Sequence, residues 1–354
     1  MNHPLSAIDL FSGAGGMSEG AMACNVQVKL AVEKDFHAGV TYKYNHPNTT
    51  LFNDDIRKLK LHKSIFGKND IKIVFGGPPC QGFSTSNQKT RSKFNAENWL
   101  FEEYLRVAKE MRPDWVVVEN VKGILETERG YFFELISNSL KKLGYTSTHA
   151  VLNAADFGVP QIRNRIFIVG SLHGISFEFP KPKQKKHITV DEAISDLPTL
   201  ENGDYRNEIS YSSKPRTEYQ KKMRVGSDLA VNNLVSKNNQ LVIKRYKYIP
   251  EGGNWEDIPH RLMANYKDHL RCHTGIYHRL RSDAPSVVIG NYRKNMLIHP
   301  TENRGLSVRE AARLQSFPDK FKFFGSIGFQ QQQVGNSVPP LLAKAVFEKI
   351  KSMA

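Results

Sequence analysis

Short apolar runs alternate with amphipathic stretches along the first 180 residues, and each change of period marks a change of element. Ala7–Phe11, Val28–Glu33, Ile71–Phe75, Trp115–Glu119 and Arg165–Val169 read as buried strands, being apolar runs too short for helices. Between them, the stretch from Gly16 to about Cys24, then Phe36–Tyr44, Leu100–Met111 and Tyr131–Leu143 read as helices. In the third, Leu100, Tyr104, Val107, Ala108 and Met111 fall on one face. Strands alternating with helices predict an α/β fold with a doubly wound, mostly parallel sheet. The pattern changes near Pro180. A basic linker, Lys181-Pro182-Lys183-Gln184-Lys185-Lys186, opens an irregular stretch with scattered aromatics that runs to about Asn303. Helical periodicity resumes at Ser307–Ser316 and Pro340–Ile350. The expected division is therefore a sheet domain from 1–180 and 304–354, with a smaller irregular domain at 181–303.

Composition adds a partner class. The 354 residues hold 50 Lys and Arg against 35 Asp and Glu, a net charge of +15, and a protein this basic is expected to meet a polyanion. No apolar run approaches the roughly 18 residues of a membrane helix, so no membrane partner is expected. Met1–Phe11 lacks the basic-then-apolar order of a secretory leader. The three cysteines, Cys24, Cys80 and Cys272, are odd in number and widely spaced, which argues against a disulfide framework or a cysteine zinc site and suits a reducing cytoplasm. Cys24, within Ala21-Met22-Ala23-Cys24, reads as a buried hydrophobe, and Trp255 as a core anchor of the second domain.

Five clusters carry candidate chemistry. Asp9-Leu10-Phe11-Ser12-Gly13-Ala14-Gly15-Gly16 follows the first strand, and its glycines let the backbone turn tightly beside a ligand. Glu33 closes the second strand, where an acid can bind ribose hydroxyls. Together they point to a nucleoside-type cofactor, with NAD, FAD and S-adenosylmethionine all open at this stage. Gly76-Gly77-Pro78-Pro79-Cys80-Gln81-Gly82-Phe83-Ser84 begins where another buried strand ends. A thiol on a rigid turn, ahead of a long polar stretch (Gln81–Asn98), is a candidate nucleophile. Glu119 directly follows Val116-Val117-Val118, and its burial there would favour a proton donor. Gln161-Ile162-Arg163-Asn164-Arg165 would put Gln161, Arg163 and Arg165 on one strand face, an array of donors for carbonyl or phosphate oxygens. Gly335-Asn336 before a proline-started helix is good capping chemistry.

In this order the stretches resemble the C5-cytosine DNA methyltransferase family, of the bacterial restriction–modification type. The resemblance rests on Asp9–Gly16, Gly77-Pro78-Pro79-Cys80-Gln81, Glu119-Asn120-Val121, Gln161-x-Arg163-x-Arg165, Arg304–Gln315 and Gly335-Asn336-Ser337-Val338-Pro339. It covers 1–180 and 304–354, and 181–303 corresponds to the family's variable target-recognition domain. The resemblance implies a Rossmann-like fold that uses S-adenosylmethionine and no metal. It implies Cys80 as the nucleophile at cytosine C6, Glu119 as the contact to N3 and the exocyclic amine, and Arg163 and Arg165 as anchors beside them. Phe11, Gly13, Gly15, Glu33, Asp55, Pro78, Leu100 and Asn336 match cofactor positions. Asp55 is preferred over Asp54 because it precedes Ile56, and Lys34 stands where many members have Trp. Ser84, Ser86 and Arg91 in the polar stretch, with Lys244, Arg245, Arg279 and Arg281 in the second domain, are the candidate DNA contacts. The implied partners are double-stranded DNA and, functionally, a cognate restriction endonuclease. The implied setting is a monomer in the bacterial cytoplasm, associated with the nucleoid. A tRNA cytosine methyltransferase and a catalytically silent DNA-binding protein are the competing readings.

Overall fold

β1 (Leu5–Leu10), buried along its whole length, is an inner strand of a seven-stranded sheet. The structure, a computed structural model, describes residues 3–79, 99–182, 186–264, 275–290, 292 and 297–354. By contacts the chain divides into two units, Met1–Phe157 with Asn164–Lys183 and Val338–Ala354, and Gly158–Arg163 with Gln184–Ser337.

The first unit holds the sheet. Its other strands are β2 (Gln27–Val32), β3 (Thr50–Phe52), β4 (Ile71–Gly76), β5 (Trp115–Val121), β6 (Thr146–Asn153) and β7 (Asn164–Ser171), in spatial order β3-β2-β1-β4-β5-β7-β6. β1 to β5 pair in parallel, and β7 alone runs against its neighbours. The helices α1 (Gly16–Met22), α2 (Phe36–Asn45), α3 (Phe101–Met111) and α4 (Tyr131–Lys142) follow the expected strand–helix alternation. Ile8, Val74, Tyr104, Val107, Val116 and Phe132 belong to one buried cluster. Tyr104 fastens α3 to the sheet, its hydroxyl donating to the Val74 carbonyl (2.8 Å) and accepting from the Val117 N–H (3.0 Å). The C-terminal helix Pro340–Met353 returns to this unit and sets Phe347 against Phe75, ring centroids 4.9 Å apart.

The chain order reverses between β1 and β4: β2 and β3 extend to one side of β1, β4 and β5 to the other. In open parallel sheets such a switch point leaves a crevice at the carboxyl ends of the strands, and ligands bind there. The glycine loop follows β1 and Gly77-Pro78-Pro79 follows β4, so both candidate loops leave the sheet at that crevice.

The second unit is built of short helices, among them Val190–Ile194, Glu218–Met223, Gln240–Tyr246, Val308–Leu314 and Ile327–Asn336, with a two-stranded sheet, Glu208–Ile209 against Ala230–Val231. Trp255 is buried in one of its clusters, with Tyr246, Tyr277 and Ile298. Its extent differs from the expected 181–303, because residues 304–337 pack with this unit. Three fully buried arginines explain the difference. Arg304 donates to the Leu200 carbonyl (3.1 Å) and pairs with Glu310 (2.7 Å). Arg309 donates to the Val231 carbonyl (2.8 Å). Arg313 is clamped between Asp319 (2.5 Å) and Asp196 (2.9 Å). Burial acts to raise the Glu310 pKa, but the Arg304 guanidinium, His299 and the Ser307 N–H together hold it down at about 2.

Among the described residues no helix is long and apolar enough to cross a membrane.

Candidate active site

At the end of β1 the backbone turns through left-handed conformations at Phe11 (φ 58), Gly13 (φ 55) and Gly15 (φ 97). Gly15 is required twice over: its φ suits glycine, and a Cβ there would stand 2.5 Å from Nε2 of His46. The turn is tied to the end of β2. Ser12 N–H donates to the Val32 carbonyl (3.0 Å), and Gly13 N–H to Oε2 of Glu33 (2.7 Å). The other Glu33 oxygen accepts from Asp35 N–H (2.7 Å). Burial raises the Glu33 pKa against the lowering effect of these bonds. At the end of β3, Asp55 caps the turn Ile56–Lys58 and takes Arg57 at 2.5 Å and Lys34 at 3.5 Å. The Arg57 hydrogen bonds hold its carboxyl well below the usual range, so it is charged at neutral pH. Asp54 pairs instead with Lys58 (3.0 Å) and is the more exposed of the two.

Beneath this turn lies a chain of buried polar groups that sequence reasoning did not single out. Ser18, one turn into α1, donates to Oδ2 of Asp9 (2.6 Å), and its hydroxyl lies 2.7 Å from that of Tyr42 on α2. Three elements thus meet under the glycine loop. No sequence period marks the junction, because each residue looks polar in its own element. Asp9 is 1% exposed. Burial pushes its pKa well above the usual carboxylate value, against the lowering bond from Ser18. A raised folded-state pKa costs stability as pH climbs from the unfolded value of roughly 4 through the folded one. Asp9→Asn keeps an acceptor for Ser18 and removes that cost. Thermal unfolding is therefore expected to show the variant at least as stable as the parent at pH 8, with the difference shrinking toward pH 4. A variant less stable at pH 8 than at pH 4, relative to the parent, would show that the ionised acid supports the fold.

At the neighbouring strand ends, β4 leads into Gly77-Pro78-Pro79, and β5 ends with Glu119-Asn120-Val121. The two are stitched together. A Cβ on Gly77 would stand 2.8 Å from Oε2 of Glu119, so a larger residue there would push the carboxylate aside. Asn120 Nδ2 donates to the Pro78 carbonyl (3.2 Å). Glu119 is 8% exposed and meets Nε of Arg165, on β7, at 2.9 Å. The sequence points to burial of Glu119, and the structure adds the Arg165 cation beside it. Leu100 caps the start of α3. Cys80, Ser84, Ser86 and Arg91 lie outside the described residues, as does Cys272.

Arg163 differs from expectation. Gln161, Arg163 and Arg165 do not share a strand face, because β7 starts only at Asn164. Ile162 is 39% exposed, whereas Gln161 and Arg163 are buried. Arg163 belongs to the second unit and donates to the carbonyls of Ile289 (2.8 Å), Gly335 (2.8 Å) and Ser337 (3.1 Å). It gathers three backbone segments of that unit. The exposed Asn336 ends the helix Ile327–Asn336 in the same unit.

Two expected phosphate contacts are also corrected. Arg245 is buried and donates to the Leu262 carbonyl (2.9 Å) and the Tyr277 hydroxyl (2.8 Å). Arg279 is buried among carbonyls, including those of Ile249 (2.7 Å), Tyr246 (2.7 Å) and Glu302 (2.8 Å). In a unit with little regular secondary structure, guanidinium forks satisfy loop carbonyls that no strand partner reaches. Lys244 and Arg281 are exposed, the latter paired with Asp283 at 2.8 Å.

A family model for C-5 cytosine-specific DNA methylases matches residues 5–352. The chain is 36% identical over 353 residues to the type II methyltransferase M1.HphI of Haemophilus parahaemolyticus, an alignment covering 99% of this chain and 87% of that one. To the type II methyltransferase M.DdeI of Desulfomicrobium norvegicum it is 34% identical over 369 residues, covering 98% and 88%. Among solved structures, a DNA modification methyltransferase encoded within an E. coli prophage matches with a TM-score of 0.80 at 27% identity, over 98% of this chain and 99% of that one.

Proposed function

Because the chain belongs to the C-5 cytosine-specific DNA methylase family, and so is a DNA (cytosine-5)-methyltransferase, we propose that it methylates a cytosine flipped out of a short duplex sequence, with S-adenosylmethionine as donor and Cys80 as nucleophile. The observation that carries this reading is the pairing of two motifs at adjacent strand ends. The buried Glu119 carboxylate abuts Gly77, and Asn120 holds the Pro78 carbonyl, two residues before Cys80.

The residues present fit a nucleoside-type donor. Glu33 is half-buried and oriented by two backbone N–H groups, where ribose hydroxyls would bind, and nothing lies within 4 Å of a Cβ built on Gly13. Phe11, Gly13, Gly15, Glu33, Asp55, Pro78 and Leu100 would hold the donor, which when bound supplies an electrophilic methyl group for C5. The protein's task is to make C5 a nucleophile. The Cys80 thiolate adds to C6, and the ring electrons move to C5 as an enamine. Glu119, in contact with N3 and the exocyclic amine, stabilises the charge that addition develops. Arg165 holds Glu119 in place. Loss of the C5 proton to a base, which water can supply, then lets Cys80 leave. A stacked base is out of reach, so the target is flipped out at a cost of a few kcal/mol, offset by backbone contacts such as those Lys244 and Arg281 supply.

The test supplies labelled donor and duplex DNA and locates the methyl group. Label at cytosine C5 supports the reading, and label on the exocyclic nitrogen or on adenine overturns it. Competition with tRNA separates DNA from RNA as substrate. Bisulfite sequencing of DNA from expressing cells reads the target sequence, and protection of that sequence against a nuclease tests the restriction pairing. Glu119→Gln is expected to lower kcat/KM by about 10²-fold or more, the ordinary size of a positioned acid–base contribution, with duplex affinity retained. Activity within threefold of the parent would remove Glu119 from this role.

A further inference from the structure

We propose that a basic face of the first unit, at the end of the sheet opposite the glycine loop, binds the phosphate backbone of a second duplex segment, separate from the one being methylated. The choice of ligand rests on the DNA reading above. The site itself rests on charges that this reading does not use.

Residues 57–72 carry Arg57, Lys58, Lys60, Lys63, Lys68 and Lys72 against the single acid Asp70. Arg57 and Lys58 are engaged by Asp55 and Asp54. Lys60, Lys63, Lys68 and Lys72 are not, nor are Lys109 and Arg112 at the end of α3. Among the described residues none of these six takes part in an ion pair. Five are exposed and Lys72 is half-buried. Lys63, Lys72 and Arg112, from three separate segments, converge on one cavity of about 210 Å³ with Phe66, Met111 and the carboxylate Glu110 in its wall. The nearby acids are occupied. Glu110 is held by Arg106 (3.1 Å), Asp70 accepts from Gly67 N–H (2.7 Å), and Asp114 accepts from Lys72 N–H (2.7 Å) and meets His173 (2.6 Å). A cation at the end of a helix complements its dipole, which explains Lys109 and Arg112. It does not explain Lys63 and Lys72, brought beside Arg112 from two other segments.

The cavity is smaller than the roughly 300–1,000 Å³ that enclose an organic ligand, and its cations suit phosphate oxygens. The face lies where β4 begins and the glycine loop lies where β1 ends, a strand length of roughly 20 Å apart. That is more than twice the Debye length of about 8 Å at physiological salt. Charges there do little for a base reacting at the other edge. They suit a neighbouring duplex segment, so that the enzyme can pass between segments of a long DNA.

The experiment uses the full chain and a short immobilised duplex carrying the target sequence, and measures retention of a second, labelled duplex without that sequence. The parent is expected to bridge the two. Lys63→Ala/Lys72→Ala/Arg112→Ala is expected to lose at least tenfold of the bridging. The slope of log affinity against log salt for non-specific duplex is expected to fall by about 2–3, near 0.9 per lost phosphate contact. Methylation of a short duplex is expected to stay within twofold. Lys63→Glu/Arg112→Glu, which changes only the two exposed cations of the cavity wall, is expected to act in the same direction and serves if the triple variant does not fold. A parent that does not bridge, or variants with unchanged bridging and slope, would overturn the proposal. So would a cavity that binds inorganic tripolyphosphate while bridging stays untouched. If the cytosine chemistry were wrong instead, the position of the methyl group would change and bridging would not.

Discussion

Cys80→Ser is expected to abolish methyl transfer, by at least about 10³-fold in kcat, while the variant still binds duplex DNA and S-adenosylmethionine. Cytosine C5 does not attack a methyl group unaided, and addition of a nucleophile at C6 is what gives it electron density. A thiol with a pKa of roughly 8.5 supplies a few per cent of thiolate at neutral pH, and cationic neighbours raise that fraction. A serine hydroxyl is scarcely ionised at that pH, so the loss falls on the chemical step. Single-turnover methylation and duplex binding, measured side by side, separate the two. Turnover within tenfold of the parent would take Cys80 out of the reaction.

Arg313→Ala is expected to be the most damaging single change to the fold, lowering the unfolding free energy by about 3–5 kcal/mol. Arg313, Asp196 and Asp319 are all fully buried, and the guanidinium gives both carboxylates their shortest charged contacts. Without it, Asp319 keeps Arg309 at 3.8 Å and the Tyr211 hydroxyl at 2.7 Å, and Asp196 keeps Arg224 at 3.3 Å. Two buried acids would be left short of partners, and the side-chain volume would be vacated. Denaturant unfolding of the full chain measures the effect. A loss below about 1 kcal/mol would mean that water or rearrangement replaces the arginine.

These two sites also show what the chain makes legible before it folds. Buried strands in a parallel sheet read as continuous apolar runs, so Ile71–Phe75 and Trp115–Glu119 stand out, and the observed β4 and β5 extend them by one residue, Gly76, and by two, Asn120 and Val121. β6 is missed because it is an edge strand whose Thr146-Ser147-Thr148-His149 start carries no buried alternation. β3 is missed because it is three residues long. Glycine, proline and carboxylate at strand ends stand out in the sequence, and Gly77 leaves room for the Glu119 carboxylate to approach it. Arginine is the opposite case. Arg163, Arg245, Arg279, Arg304, Arg309 and Arg313 are all buried, yet a guanidinium that binds phosphate and one that binds loop carbonyls are written with the same letter. Period-two reasoning failed at Gln161–Arg165 because the strand it presumed begins three residues later, at Asn164.

The central claim is that Cys80 bonds transiently to the target ring, and a duplex with 5-fluorocytosine at the methylated position tests it most directly. Fluorine cannot depart as the C5 proton does, so after methylation the enzyme cannot eliminate. The account predicts a denaturant-stable protein–DNA adduct in the presence of S-adenosylmethionine, with the cross-link mapped by mass spectrometry to Cys80. Normal methylation of the unmodified duplex, with no adduct to its fluorinated counterpart, would contradict it.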